Sequence, residues 1–165
     1  YFLGSDEYLT QVRQRVNLPI LRKDFTVDEY QIYEAKNIGA DAVLLICSLL
    51  SASQLAEYLC QAHELKMAAL VEAHAAEEVG AALATGAEII GVNNRNLKDF
   101  SVNPLNSLRL RDKIPQDKIF VAESGVTCAS DAAALKAAGV QAVLVGEALM
   151  RAADPAALIK ELRGE

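Results

Sequence analysis

Apolar residues in this chain come in short runs, without polar residues alternating between them. Pro19–Leu21, Ala42–Cys47, Met67–Val71, Ile89–Val92, Ile119–Ala122 and Ala142–Val145 are each about as long as a β-strand and rich in Val, Ile or Leu. A strand apolar on both faces is covered on both, which predicts a parallel sheet lined with helices. The stretches between the runs read as those helices. Asp28–Ile38 has acidic residues in its first turn. Ser51 with Gln54 forms a capping box ahead of a helix reaching Leu65. Asn103-Pro104 and Asp154-Pro155 each set an N-cap before Pro at the first helical position, and Ser130-Asp131 opens a further helix.

One device recurs. Gly39-Ala40-Asp41-Ala42-Val43, Gly86-Ala87-Glu88-Ile89-Ile90 and Gly139-Val140-Gln141-Ala142-Val143 each predict a helix that ends on glycine and a buried strand that starts at once. Glycine takes the left-handed C′ position at little cost. The unit is about 25 residues long, one strand plus one crossover helix. Six such units follow one another with no Pro/Gly-rich linker between them.

Two architectures fit this order, an open doubly wound sheet and part of a (β/α)8 barrel. A doubly wound nucleotide-binding fold wants a Gly-rich turn after its first strand, and none is present. A barrel gathers functional side chains at the C-terminal ends of several strands. The runs end in that way, with Lys23 after the first, Glu72 after the third, Asn93 after the fourth and Glu123 after the fifth. The predicted fold is therefore α/β: a TIM (β/α)8 barrel truncated to about six βα units, with residues 1–165 as one domain.

An ammonium, two carboxylates and an amide on one mouth make an acid–base site. Charges also mark where strands emerge into solvent, but four strands in register favour function. Gly125 and the Gly146-Glu147 pair follow the last two strands, where barrels often hold a phosphate on backbone N–H groups. Ordinary βα turns use glycine there as well. His63 and His74 are read as surface or loop histidines, and Glu77-Glu78 as the acidic start of a helix.

Composition narrows the function further. A net charge of −6 and no Lys/Arg run argue against a nucleic-acid partner. Cys47, Cys60 and Cys128 are scattered, with no CxxC and no His/Cys cluster, so no metal is expected and a reducing, cytoplasmic setting is. The longest apolar run is too short to span a bilayer. The chain opens on Tyr1, so its natural N-terminus is expected upstream.

Several segments resemble the indole-3-glycerol-phosphate synthase family. They are Ile20-Leu21-Arg22-Lys23-Asp24-Phe25, Leu70-Val71-Glu72, Ile90-Gly91-Val92-Asn93-Asn94-Arg95-Asn96-Leu97, Ala122-Glu123-Ser124-Gly125-Val126 and Val145-Gly146-Glu147-Ala148-Leu149-Met150. The resemblance runs the length of the chain in order, and its first strand matches the family's third. It implies conversion of 1-(o-carboxyphenylamino)-1-deoxyribulose 5-phosphate into indole-3-glycerol phosphate, CO2 and water, without a cofactor. It implies that Lys23 is the general acid in ring closure and that Glu72 transfers a proton in the dehydration. Asn93 and Glu123 would orient the anilino and hydroxyl groups. Phe2, Phe25, Leu44, Arg95 and Leu97 would line the aromatic pocket, and Ser124, Gly125, Gly146 and Glu147 would surround the phosphate. The physics agrees: closure onto a carbonyl builds alkoxide charge, which a held ammonium stabilises. For Phe25, a place in the core behind the loop is as good a reading.

The resemblance also implies a glutamate and a lysine on a first strand that these 165 residues do not contain. Activity of this polypeptide alone is therefore not expected. The competing reading is a non-catalytic partial barrel that serves as a scaffold, with self-association through its open edges. Phosphoribosylanthranilate isomerase fits less well, because it expects a cysteine on its first strand and lacks the Lys23 motif.

Overall fold

A computed structural model describes residues 4–97 and 99–165. Six parallel strands form one curled sheet in sequence order: β1 Leu21–Arg22, β2 Ala42–Ile46, β3 Ala68–Ala73, β4 Ile89–Asn93, β5 Ile119–Glu123 and β6 Ala142–Leu144. Helices α1 Asp6–Arg13, α2 Tyr30–Asn37, α3 Ala52–Glu64, α4 Ala76–Ala84, α5 Asn106–Leu110, α6 Ala129–Ala137, α7 Glu147–Arg151 and α8 Pro155–Arg163 lie before, between and after them. The expected partial barrel is thus observed.

The sheet has two apolar faces, as the run pattern predicts. Val43, Leu45, Val71, Ile90, Val92, Phe120 and Ala122 point outward and pack with Ile32, Leu55, Leu59, Val79 and Leu135 of the helices. The alternate residues Leu44, Ile46, Leu70 and Val121 form a second, inner cluster with Leu21, Ile89, Leu97 and Leu144. A strand alternates faces at every residue. Two positions beyond Leu21, Leu70 and Val121, on the same inner face, stand Lys23, Glu72 and Glu123; Asn93 stands four beyond Ile89. Parity alone thus carries the polar set to the mouth above the inner cluster.

The three repeated glycines have φ of +96°, +83° and +78° at Gly39, Gly86 and Gly139, the left-handed conformation that their place after α2, α4 and α6 requires. The Ser51–Gln54 capping box and the Asp154 N-cap with Pro155 at N1 are both present.

Three expected boundaries differ. The run Pro19–Leu21 yields a strand only at Leu21–Arg22, because Pro19 has no N–H and the Ile20 N–H donates to the Asp41 carboxylate at 2.8 Å. Asn103-Pro104 makes a turn, its Oδ1 accepting from the Leu105 N–H, and α5 starts only at Asn106. Helix α6 starts at Ala129, with Asp131 reaching back to the Thr127 and Cys128 N–H groups.

Helix α1 is tied to the sheet by charge. Arg13 pairs with Asp41 and donates to the Gly39 carbonyl, while Arg22 donates to Asp6, Glu34 and the Gln31 carbonyl.

Candidate active site

Four strand ends bring their polar residues together. Lys23 Nζ lies 3.3 Å from Glu72 Oε2 and 3.8 Å from Glu123 Oε2. Asn93 Nδ2 donates to Glu72 Oε1 at 3.0 Å, and Asn93 Oδ1 accepts from Ser124 Oγ at 2.9 Å. Both carboxylates are 1% exposed, whereas the Lys23 side chain is 40% exposed and reaches in from the edge strand.

Burial of two carboxylates side by side has an electrostatic consequence. Glu123 is pushed up to about 8, chiefly by removal from water and next by the neighbouring Glu72 carboxylate; the Lys23 ammonium opposes both. Among the described residues, neither Glu123 oxygen has an aligned hydrogen-bond partner. Near neutral pH the Glu123 carboxyl therefore keeps its proton and can donate it, while Glu72 is held by Asn93 and Lys23 as an acceptor.

The residues expected to line an aromatic pocket are placed unevenly. Leu44 is buried in the inner cluster, with Leu97 packed against it. Phe25 is 39% exposed beside Lys23, so the core reading of that ring does not hold. Arg95 leaves the mouth on the loop after β4, where its N–H donates to Asn93 Oδ1 and its guanidinium pairs with Glu147 at 2.7 Å. Phe2 lies outside the described residues.

Around the expected phosphate position, Ser124 and Gly125 both have positive φ, +65° and +78°. Gly125 also faces the loop after β4: a Cβ there would come within 2.9 Å of Val102 Cγ1. Its glycine thus has a packing reason as well as a ligand-binding one. Gly146 is different, since nothing lies within 4 Å of where its Cβ would be. That space is open to a ligand. Glu147 begins α7 and is held below the ordinary carboxylate range, first by hydrogen bonds from Arg95 and then by Arg151.

Sequence reading missed three supports. Asn94 is buried; its Nδ2 donates to the Ser124 carbonyl and its Oδ1 accepts from the Ser107 N–H and hydroxyl. Asn106 Nδ2 bridges the His74 and Asn93 carbonyls. His74 lies in the loop after β3, one of the two places expected, but it is not at the surface: its side chain is 18% exposed, with Nε2 3.4 Å from Glu72 Oε1. Parity was the available signal, because residue 74 returns to the face of residue 72. His63, by contrast, is exposed as expected.

Six parallel βα units with a polar cluster at their C-terminal ends define a partial barrel of the TIM type. Solved barrels agree on the fold. The crystal structure of 3-hexulose-6-phosphate synthase from Salmonella typhimurium superposes with a TM-score of 0.83 at 16% identity, over 96% of this chain and 78% of that one. That of KGPDC from Streptococcus mutans gives 0.76 at 13% identity, over 98% of this chain and 78% of that one. The chain belongs to the indole-3-glycerol phosphate synthase family, whose model matches residues 1–162. Curated relatives of that name include those of Ruminiclostridium cellulolyticum, 54% identical, and Endomicrobium trichonymphae, 53% identical, each matched over 99% of this chain. The chain spans 63% of the length of each.

Proposed function

We propose that these residues carry the larger part of an indole-3-glycerol-phosphate synthase active site, a carboxy-lyase of tryptophan biosynthesis. The substrate would be 1-(o-carboxyphenylamino)-1-deoxyribulose 5-phosphate. The observation that carries the reading is the Lys23 ammonium poised between two buried carboxylates, 3.3 and 3.8 Å away.

The chemistry follows from those positions. Lys23 donates its proton to the ketone oxygen as the aromatic carbon attacks, so no free alkoxide forms. Loss of CO2 restores the ring. Glu72 then takes up a proton as hydroxide leaves and the indole double bond forms. Glu123, still protonated near neutral pH, donates to a substrate hydroxyl, and Asn93 orients Glu72. Ser124, Gly125 and the open backbone at Gly146 receive the phosphate, with Glu147 beside it. Phe2, Phe25, Leu44, Arg95 and Leu97 line the anthranilate side.

The resemblance places a further glutamate and lysine on a strand outside these 165 residues, so turnover by this polypeptide alone is not expected. The test is to supply the N-terminal βα units of a relative in trans and follow indole-3-glycerol phosphate formation. Turnover that needs both pieces and disappears in Lys23→Ala supports the reading; turnover untouched by Lys23→Ala overturns it.

A scaffold role has one observation in its favour. Among the described residues β1 pairs only with β2, and β6 only with β5, leaving two strand edges open to another chain. Association of two copies through these edges is the form we infer for the isolated polypeptide. Its three cysteines are unpaired thiols, in keeping with a place in the cytoplasm. Among the described residues no helix is long and apolar enough to cross a membrane.

A further inference from the structure

His74 stands between a buried carboxylate and one at the surface. Its Nε2 lies 3.4 Å from Glu72 Oε1, and its Nδ1 lies 3.4 Å from Glu78 Oε2. Side-chain exposure rises along this line, from 1% at Glu72 to 18% at His74 and 27% at Glu78. The ring is held by its backbone: the His74 N–H donates to Glu78 Oε2 at 2.6 Å, and its carbonyl accepts from Asn106 Nδ2 at 3.1 Å. Nε2 is buried and, among the described residues, makes no aligned hydrogen bond.

From this geometry we propose that His74 is a positioning and proton-relay residue, which passes protons between Glu72 and solvent by way of Glu78. The inference rests on the proposed role of Glu72 in proton transfer. Glu72 sits at the bottom of the site, walled by Asn93, Lys23 and Glu123. A group that takes up a proton in each turnover must release it before the next, and 1% exposure gives it almost no direct contact with water.

The step balances. Glu72 gives its proton to Nε2 while Nδ1 releases one to Glu78, so the ring ends neutral in its other tautomer. The cycle closes when the ring swings away from Glu72, Nε2 loses its proton to water and Nδ1 takes one back from Glu78, so that one proton has passed from Glu72 to solvent. Only the imidazolium donates to both carboxylates at once; the neutral ring donates to one and accepts from the other. The groups around the ring are Glu72 on β3, Glu78 on α4, Lys23 and Glu123 beyond Glu72, and Cys47 after β2, whose Sγ touches the Glu78 carbonyl. Cys47 does not compete as a carrier. Burial first, and then Glu78, push its thiol up to about 12, so it stays protonated.

The test is carboxyl and imidazole NMR on the 165-residue chain, with His74→Gln and Glu78→Gln beside it. In the original chain the Glu123 carboxyl signal should stay one averaged line through its midpoint, because its proton leaves by way of the neighbouring Glu72 and the relay. In His74→Gln proton exchange at Glu123 should slow by roughly tenfold or more, splitting or broadening that line. Glu78→Gln, which removes the outer acceptor, should slow the same exchange without moving the backbone signals of β3. A purely structural histidine would move none of these in a well-folded variant. Unchanged exchange in His74→Gln, with Glu123 still raised, overturns the relay alone. A Glu123 that titrates as an ordinary carboxyl in the original chain overturns the carboxylate pair, and the proposed function with it.

Discussion

The Glu123 carboxylate occupies the space that a side chain at Gly91 would need. A Cβ at residue 91 would overlap Glu123 Oε1 and come within 3.1 Å of Leu70 Cδ1. Gly91 is in β4 on the inner face, paired with Glu72 on one side and Val121 on the other. Its lack of a side chain is what lets Glu123 lean across the mouth. Gly91→Ala should push the carboxyl toward solvent at a cost of about 1–3 kcal/mol in stability. Denaturant midpoints would give the cost, and the Glu123 titration should fall back toward an ordinary carboxyl. A raised Glu123 in Gly91→Ala would show that the overlap relaxes without moving it.

The Lys23 ammonium opposes the raising of Glu123. Lys23→Met should therefore drive the Glu123 midpoint above 8, read by the same titration. In a completed barrel Lys23→Ala should lower kcat by orders of magnitude, because the interaction is used mainly in the transition state. A raised KM with kcat unchanged would demote Lys23 to a binding residue.

Glu123 also sets how stability varies with pH. Its folded value of about 8 lies above the ordinary 4.5, so the folded chain holds a proton that the unfolded chain releases between those limits. The contribution is fully present below pH 4.5 and is lost as pH rises through 8, at ~1.4 kcal/mol per unit at the steepest. Glu123→Gln should flatten that part of the curve. Urea midpoints from about pH 5 to about pH 9 in both chains check it; parallel slopes would refute the burial of a shared charge.

Arg95 and Glu147 pair near the surface, at side-chain exposures of 30% and 57%. Such pairs contribute little to stability. Arg95→Gln should leave the melting temperature unchanged while raising KM in a completed barrel. A clear fall in melting temperature would mean that the pair closes the loop after β4 rather than serving substrate.

The open edges at Leu21–Arg22 and Ala142–Leu144 predict concentration-dependent association. Sedimentation across a roughly hundredfold dilution would show it. A compact monomer at all concentrations would mean that edges of two and three residues are too short to recruit a partner.

Much of this was legible from spacing. The glycines that follow α2, α4 and α6 and the unbroken apolar runs carry local information, and together they gave the order of a barrel. Lys23, Glu72, Asn93 and Glu123 were legible as a group because each follows the C-terminal end of an apolar run. Asn94 and Asn106 were not, because their roles lie in partners 13 to 32 residues away: Ser107 with Asn94, and the His74 carbonyl with Asn106. No local pattern announces such a bond. The bounds of the first strand differ from the expected run for a subtler reason. Apolarity marked Pro19 and Ile20 as strand, while hydrogen bonding gave the Ile20 N–H to Asp41 instead.

Arg22 and Lys23 are neighbours with opposite assignments. The guanidinium faces outward and is gripped by Glu34, Asp6 and the Gln31 carbonyl; the ammonium faces the carboxylate pair. The strand that carries them has only two ladder positions, which hold its reading frame weakly. A slip of one residue would send the guanidinium into the mouth and strand the lysine among the helices. The acidic grip on Arg22 thus works as a detent: it stops a two-residue strand from sliding, and so decides which of two adjacent cations faces the buried carboxylates.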